Sequence, residues 1–393
     1  MKHAGFTLLL TALLLSVMAR ADDVDDNVRR EEQRQAAFRA GLEIIVDSLN
    51  SGSYELFASA IDREEFLGRV FGLRLIDPRV KKDFTEQVKV QFSDVIKRGF
   101  VSSKDGFRAI VLGVESRGDR GRAVVRFDLP DLQFSYHEYE LRLDANDRVV
   151  VVDWIDYSQG ERITDGLGNY LVVTLPSKQA ARKLVESKSV TDADMFQFGE
   201  LLKAARDRDV ERYVDIINGL SPELQRERFV ILSSVQLTKL GRNRRLTRTA
   251  LIQMAKYFPF EPLYSLMLLD YYVPVQKYED ALTALRATYD QLGFDDAAME
   301  ARISAISLAM GNSADATTYA ERAIELEADL ELAWWSALRA RSSVADFVGS
   351  VAALEMLENK FGRKLRRAEL ERDKSFAPLL ASAEFTAWVE GRP

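Results

Sequence analysis

Three stretches starting at Pro262, Ala297 and Glu331, 35 and 34 residues apart, keep small or apolar side chains in register. The roles fall to Leu268, Tyr272, Tyr278, Ala281 and Leu285 in the first stretch, and to Ile303, Ala316, Ala320, Ala323 and Leu326 in the second. Trp334, Phe347, Leu354 and Leu357 take them in the third. A helix pair of this length leaves an apolar face bare unless another pair stacks on it. The period therefore predicts a helical solenoid with an extended concave surface, a shape that binds other chains.

One further period back, Arg228 opens a more degenerate unit with Leu232, Leu251 and Met254 as packing positions and Pro259 as its end. Before it, Phe198, Leu201, Leu202 and Ala205 recur at helical spacing, and Ser221 is placed as an N-cap. Phe376, Leu379, Leu380, Phe385 and Trp388 read as a terminal cap. The string Ala320-Glu321-Arg322-Ala323-Ile324-Glu325-Leu326 resembles the second helix of the tetratricopeptide repeat. Departures are Leu269, Ser304 and Leu338 at the expected small position of the first helix, and Gly293 and Ala328 where the closing proline belongs. The resemblance implies that first-helix residues line the concave face: Leu232, Gln236 and Lys239, then Leu266 and Asp270, Ala301 and Ala305, and Trp335 and Arg339. These do not form the Lys and Asn clamp with which some members of that family hold a C-terminal carboxylate.

Lys2 precedes an apolar run, Phe6 to Val17, too short to span a bilayer comfortably, and Ala19-Arg20-Ala21 supplies a small-x-small cleavage pattern. Residues 1–21 are read as a cleaved export signal, which places the mature protein in the periplasm or outside the cell. No cysteine follows the run, so lipoprotein attachment is excluded, and no later segment is apolar for long enough to cross a membrane. Cleavage removes Lys2 and Arg20 but no acid and moves the net charge from −7 to −9, which argues against a nucleic-acid partner. Without cysteine, stability rests on packed cores and not on disulfides.

Residues 22–165 are expected to form an α+β domain of three helices and a four-stranded antiparallel sheet. Val28, Phe38, Leu42, Ile45 and Leu49 mark the first helix, ended by Gly52. Asp62 with Glu65 opens the second, and Asp77-Pro78 opens a third through Phe84, Val88, Phe92 and Val95 to Gly99. Strands follow over 107–115, 121–129, 133–143 and 148–157, separated by turn-forming residues. Residues 166–194 connect this domain to the repeats, residues 195–393. The element order and the step Val152-Asp153-Trp154-Ile155-Asp156-Tyr157 resemble the cone fold of nuclear transport factor 2 and ketosteroid isomerase and that of periplasmic phospholipid carriers. That resemblance implies a fold, not a function.

The mature chain holds a single histidine, His137, on the same side of its strand as Ser135 and Tyr139. A zinc site of His and Cys is excluded, and any Ser-His-Asp triad would have to use His137. Asp153, counted in phase with Val149 and Val151, and Asp156, on the opposite face, do not converge as an acid and base pair. Asp22 to Asp26 lacks the spacing of a calcium loop, and Gly166-Leu167-Gly168 lacks the setting of a dinucleotide loop. No catalytic residue, cofactor or metal is assigned. Partner-binding candidates are Gln236, Lys239, Asp270, Trp335 and Arg339 on the concave face, and Arg244 and Arg245 in a basic turn. The expected function is an exported, non-catalytic adaptor that binds a protein of the cell envelope. The alternatives are an apolar-ligand or lipid carrier and, third, an isomerase or hydrolase in the cone.

Overall fold

The computed structural model describes residues 28–72, 76–86, 92, 106–174 and 178–391. The expected signal segment, residues 1–21, the acidic segment Asp22 to Asp26, and Val88 and Val95 of the third expected helix lie outside the described residues. Helices α1 (28–50), α2 (Glu55–Ala60), α3 (Arg63–Phe71) and α4 (78–86) precede an antiparallel meander. Its strands are β1 (Arg108–Arg117), β2 (Arg120–Leu129), β3 (Gln133–Leu143), β4 (Val149–Asp156) and β5 (Glu161–Arg162), paired in that order. The expected four strands are thus five, and α2 is a helix the sequence pattern misses. Both additions are short: one turn and a half for α2, two residues for β5. Neither is long enough for a hydrophobic period to register.

The inner face of the sheet meets α1 to α3. Phe38, Leu42, Ile45 and Leu49 of α1 are buried with Phe57, Phe66, Val125, Phe127, Tyr139, Leu141, Val151 and Trp154 in one core. Asp62 accepts from the Glu65 amide at 3.0 Å and so caps α3, as its spacing predicts. Helix α5 (Ile163–Thr174) follows β5 and contacts α3, β4 and α7 (Asp192–Asp207), with α6 (Lys178–Arg182) between α5 and α7.

From α7 onward the chain is helical. α8 (Val210–Gly219), α9 (Pro222–Gln225), α10 (Arg228–Leu240), α11 (Arg244–Tyr257), α12 (Ser265–Tyr272) and α13 (Tyr278–Leu292) come first. α14 (Ala297–Ala309), α15 (Ser313–Leu326), α16 (Glu331–Ser343) and α17 (Phe347–Asn359) follow. Short helices α18 (Arg367–Leu370), α19 (Ala377–Leu380) and α20 (Ala383–Glu390) close the chain, and Leu379, Phe385 and Trp388, with Phe376 just before α19, share a buried cluster with Leu338, Leu354 and Leu357. The turns inside the pairs α7/α8, α10/α11, α12/α13, α14/α15 and α16/α17 each contain one residue with positive φ. These are Arg208, Arg242, Gln276, Gly311 and Ala345, spaced 34, 34, 35 and 34 residues apart. The repeat is therefore visible in the backbone, and it extends to five helix pairs. Tight contact between them is set by small side chains: Ala281, Ala316, Ala320, Ala323, Ala337 and Ala353 are fully buried. Among the described residues no helix is long and apolar enough to cross a membrane.

Candidate functional site

The outer face of the sheet lies against the first helices of the array and the turns that join one pair to the next. Alternation on β2 sends Ala123, Val125 and Phe127 into the inner core, and Val124 joins Tyr136, Tyr157, Leu232, Tyr264, Leu268, Met299 and Ile303 in an outer one. Arg126, on the outer side, is fully buried. Its guanidinium holds both oxygens of Asp128, at 2.7 and 3.2 Å, Glu327 at 2.6 Å, and Asp296. Asp296 also accepts from the Tyr136 hydroxyl at 2.5 Å and from the Met299 amide at 2.9 Å, which caps α14. Burial opposes charge on Arg126, but Asp296, Asp128 and Glu327 outweigh it and keep the guanidinium protonated. Burial raises the Asp128 carboxyl despite Arg126 beside it.

Further contacts extend along this junction. Arg122 donates to the carbonyls of Gln291 at 2.8 Å and Leu292 at 3.1 Å, while Arg108 pairs with Glu327 at 3.0 Å. Gly113 stands at a bulge in β1 where the Phe294 ring approaches, and a Cβ there would come within 2.1 Å of that ring. Gly160, at φ 72°, makes the same kind of room for Met267 and Tyr264. The Gln236 amide donates to the Gln159 carbonyl at 2.9 Å and to Glu161 at 3.1 Å. Arg302 reaches the Leu132 carbonyl at 3.4 Å and lies over Phe134.

Much of the surface expected to receive a partner is thus occupied by the chain's own sheet. Among the sequence candidates, Gln236 is part of this junction, and Lys239 and Asp270 pair with each other at 3.0 Å. Trp335 and Arg339 stand elsewhere, in a cleft of 390 Å³ at the C-terminal end of the array, lined also by Arg363, Lys364, Glu369 and Phe376. The Arg339 guanidinium lies 5.6 Å from the Trp335 ring and 5.9 Å from the Phe376 ring, with Nε donating to Asp373 at 3.3 Å. The Trp335 Nε1 donates to Glu331, which Arg363 also holds through two hydrogen bonds. A smaller cavity of 200 Å³ between Phe134, Leu132 and Arg108 of the sheet and Leu330 and Phe361 of the array lies at the edge of the junction. Arg244 and Arg245 are exposed in the turn that opens α11.

On the inner face, His137 Nδ1 lies 3.0 Å from the Tyr139 hydroxyl and Nε2 lies 3.5 Å from Asp156. Asp156 also accepts from the Ser158 amide and hydroxyl at 2.7 and 2.6 Å. Burial works against its charge, but His137 and Ser158 outweigh it and hold the carboxyl below its ordinary range. Both ring nitrogens of His137 are therefore engaged, and the rings of Phe127 and Trp154 flank the imidazole. Ser135 is buried beside it in register, its Oγ without a hydrogen-bond partner among the described residues.

The strand phase expected for Asp156 is corrected here. A bulge shifts the pairing between Glu140 and Leu141, so that Val151 faces Leu141, Asp153 faces Glu140 and Asp156 faces His137. The extra residue reverses the alternation and brings Asp156 to the inner face. Asp153 instead accepts from Thr164 at 2.6 Å and the Trp154 amide at 2.9 Å, with Arg162 and Arg69 within 3.6 Å, and burial raises its carboxyl. Among the described residues no group of three or more His, Cys, Asp or Glu side chains is placed to hold a metal ion. Comparison of the chain with protein-family profiles, curated proteins and solved structures gives no match.

Proposed function

We propose that the protein is an exported, non-catalytic adaptor whose tetratricopeptide-like array engages a protein partner at its C-terminal cleft. The observation that carries this reading is the division of the first-helix face. Its middle is filled by the sheet through Arg126, Tyr136, Gly113 and Gly160, while Trp335, Arg339 and Phe376 border an open cleft. An aromatic ring stacked with arginine is the combination that dominates interface energetics. The α+β domain then acts as an internal brace that fixes the curvature of the array. Close packing of Phe57, Phe66, Tyr139 and Trp154 on its inner face favours this role over carriage of an apolar ligand.

The test is capture from envelope extract with the full chain, compared with the Trp335→Ala and Arg339→Ala variants. A partner retained by the parent at a fixed ratio and lost from both variants, with thermal unfolding unchanged, supports the cleft. Equal capture by all three proteins overturns it.

A further inference from the structure

The array has a second edge, formed by the turns inside the helix pairs, at the opposite helix ends from the turns that carry Asp296 and Glu327. In its first two pairs this edge carries Arg208, Arg242, Arg244, Arg245 and Arg248, all exposed. None of the five makes an ion pair among the described residues. The two turns adjoin: a Cβ on Gly241 would lie 3.0 Å from Val210 Cγ2. Nearby acids are engaged or outnumbered. Asp207 pairs with Arg206, while Asp209, which accepts from the Arg212 amide, and Glu211 add two exposed carboxylates against five guanidinium groups.

The arginines of the sheet domain differ: Arg69, Arg120, Arg122, Arg126 and Arg162 all have carboxylate partners in a protein of net charge −7. Nor does stability account for the placement. Arg244 and Arg245 are the first two residues of α11, a helix with no acidic residue, so they sit at the positive end of its dipole. Each such cation costs about 0.3–1 kcal/mol relative to a favourable charge there. Beside Arg242, Arg244 and Arg245 the edge exposes one large aliphatic side chain at the end of a first helix, Leu240 at 63%, and Val273 follows in the next turn at 39%. The two cavities described above lie elsewhere, and this edge is formed by turn tips.

From this juxtaposition we infer that the intra-pair turn edge, centred on Arg242, Arg244 and Arg245 with Leu240, docks on an anionic lipid surface. A patch of unpaired cations around an exposed aliphatic side chain matches a plane of anionic head groups over hydrocarbon. An acidic polypeptide would supply charge but would leave Leu240 unused. The docking edge is separate from the Trp335 cleft and stands or falls independently of it.

The test is cosedimentation of the full chain with vesicles of phosphatidylglycerol and phosphatidylcholine in equal parts, and with phosphatidylcholine alone. Binding is expected only to the first and should fall as salt rises. The double variant Arg244→Glu, Arg245→Glu should lose at least about tenfold in vesicle affinity. The lysine pair Arg244→Lys, Arg245→Lys should retain binding, and Leu240→Ser should weaken it. Acidic residues suit the start of a helix, so the Glu variant should keep or raise its thermal midpoint, which separates loss of docking from loss of fold. Equal binding to neutral vesicles, an undiminished Glu variant, or capture of soluble polyglutamate in place of vesicles would each overturn the proposal.

Discussion

The middle and the C-terminal end of the helical array share one architecture and differ in what covers their first helices. Over α10 to α14 the cover is the sheet, and the contacts are of the kind found inside a domain: a fully buried arginine between carboxylates, glycine notches and a continuous apolar cluster. Over α16 there is open cleft, and Trp335 and Arg339 are only half-buried. Repeat geometry alone therefore does not make a binding face. The face is available only where the chain has not already used it.

Four substitutions would break or sharpen this contrast. The largest effect is expected from Arg126→Met, which leaves Asp296 buried without its cation and should cost about 3–5 kcal/mol in urea unfolding. Should the sheet and the array then unfold in separate steps, the ion cluster is what couples them. Gly113→Ala drives a methyl group into Phe294 and should cost about 2 kcal/mol by the same measurement, through overpacking at the junction. Asp156→Asn, on the face of the sheet away from the array, removes a charge that His137 and Ser158 hold and should cost about 1.5 kcal/mol at neutral pH. The Asp156 carboxyl is depressed in the folded state. Its contribution is therefore fully present above about pH 4 and is lost as pH falls through the lower folded value. Stability of the Asn variant should accordingly fall less steeply with acidification. Arg339→Ala, in the open cleft, should change stability by no more than about 0.5 kcal/mol. A much larger loss would mean that the cleft is part of the core and not a free surface.

How much of this was legible in the chain depended on the scale of the signal. Helix pairs were readable because small residues such as Ala281, Ala316 and Ala320 recur at a fixed interval and are buried for one reason, close helix approach. Strand positions were readable from β-branched and aromatic runs ended by turn residues. The bulge opposite Glu140 was not, since one unpaired residue leaves no compositional trace yet reverses every later side chain on β4. The covered outer face did leave a trace. Ala123-Val124-Val125-Arg126-Phe127 does not alternate between apolar and polar, which is the pattern of a strand buried on both sides. Arg126 interrupts that run, and its partners Asp296 and Glu327 lie 170 and 201 residues away, beyond any local reading. At the candidate site, spacing of one helical turn brought Trp335 and Arg339 together as expected. Lys239 and Asp270 face each other because neighbouring first helices lie side by side.

The burial of α14 bears on how the molecule is assembled. Ala297, Ala298, Met299, Ala301, Ile303, Ser304, Ile306 and Ser307 leave this helix almost no wet side. The sheet is synthesised before the helices that cover it, so Val124, Tyr136 and Arg126 emerge well ahead of Asp296 and Glu327. Until those arrive, the outer face of the sheet, apolar with a cation at its centre, has no cover from the array, the kind of exposure that favours association during folding. A C-terminal half expressed alone would meet the complementary difficulty. The two halves are separable on paper by their secondary structure, but each buries an apolar face of the other.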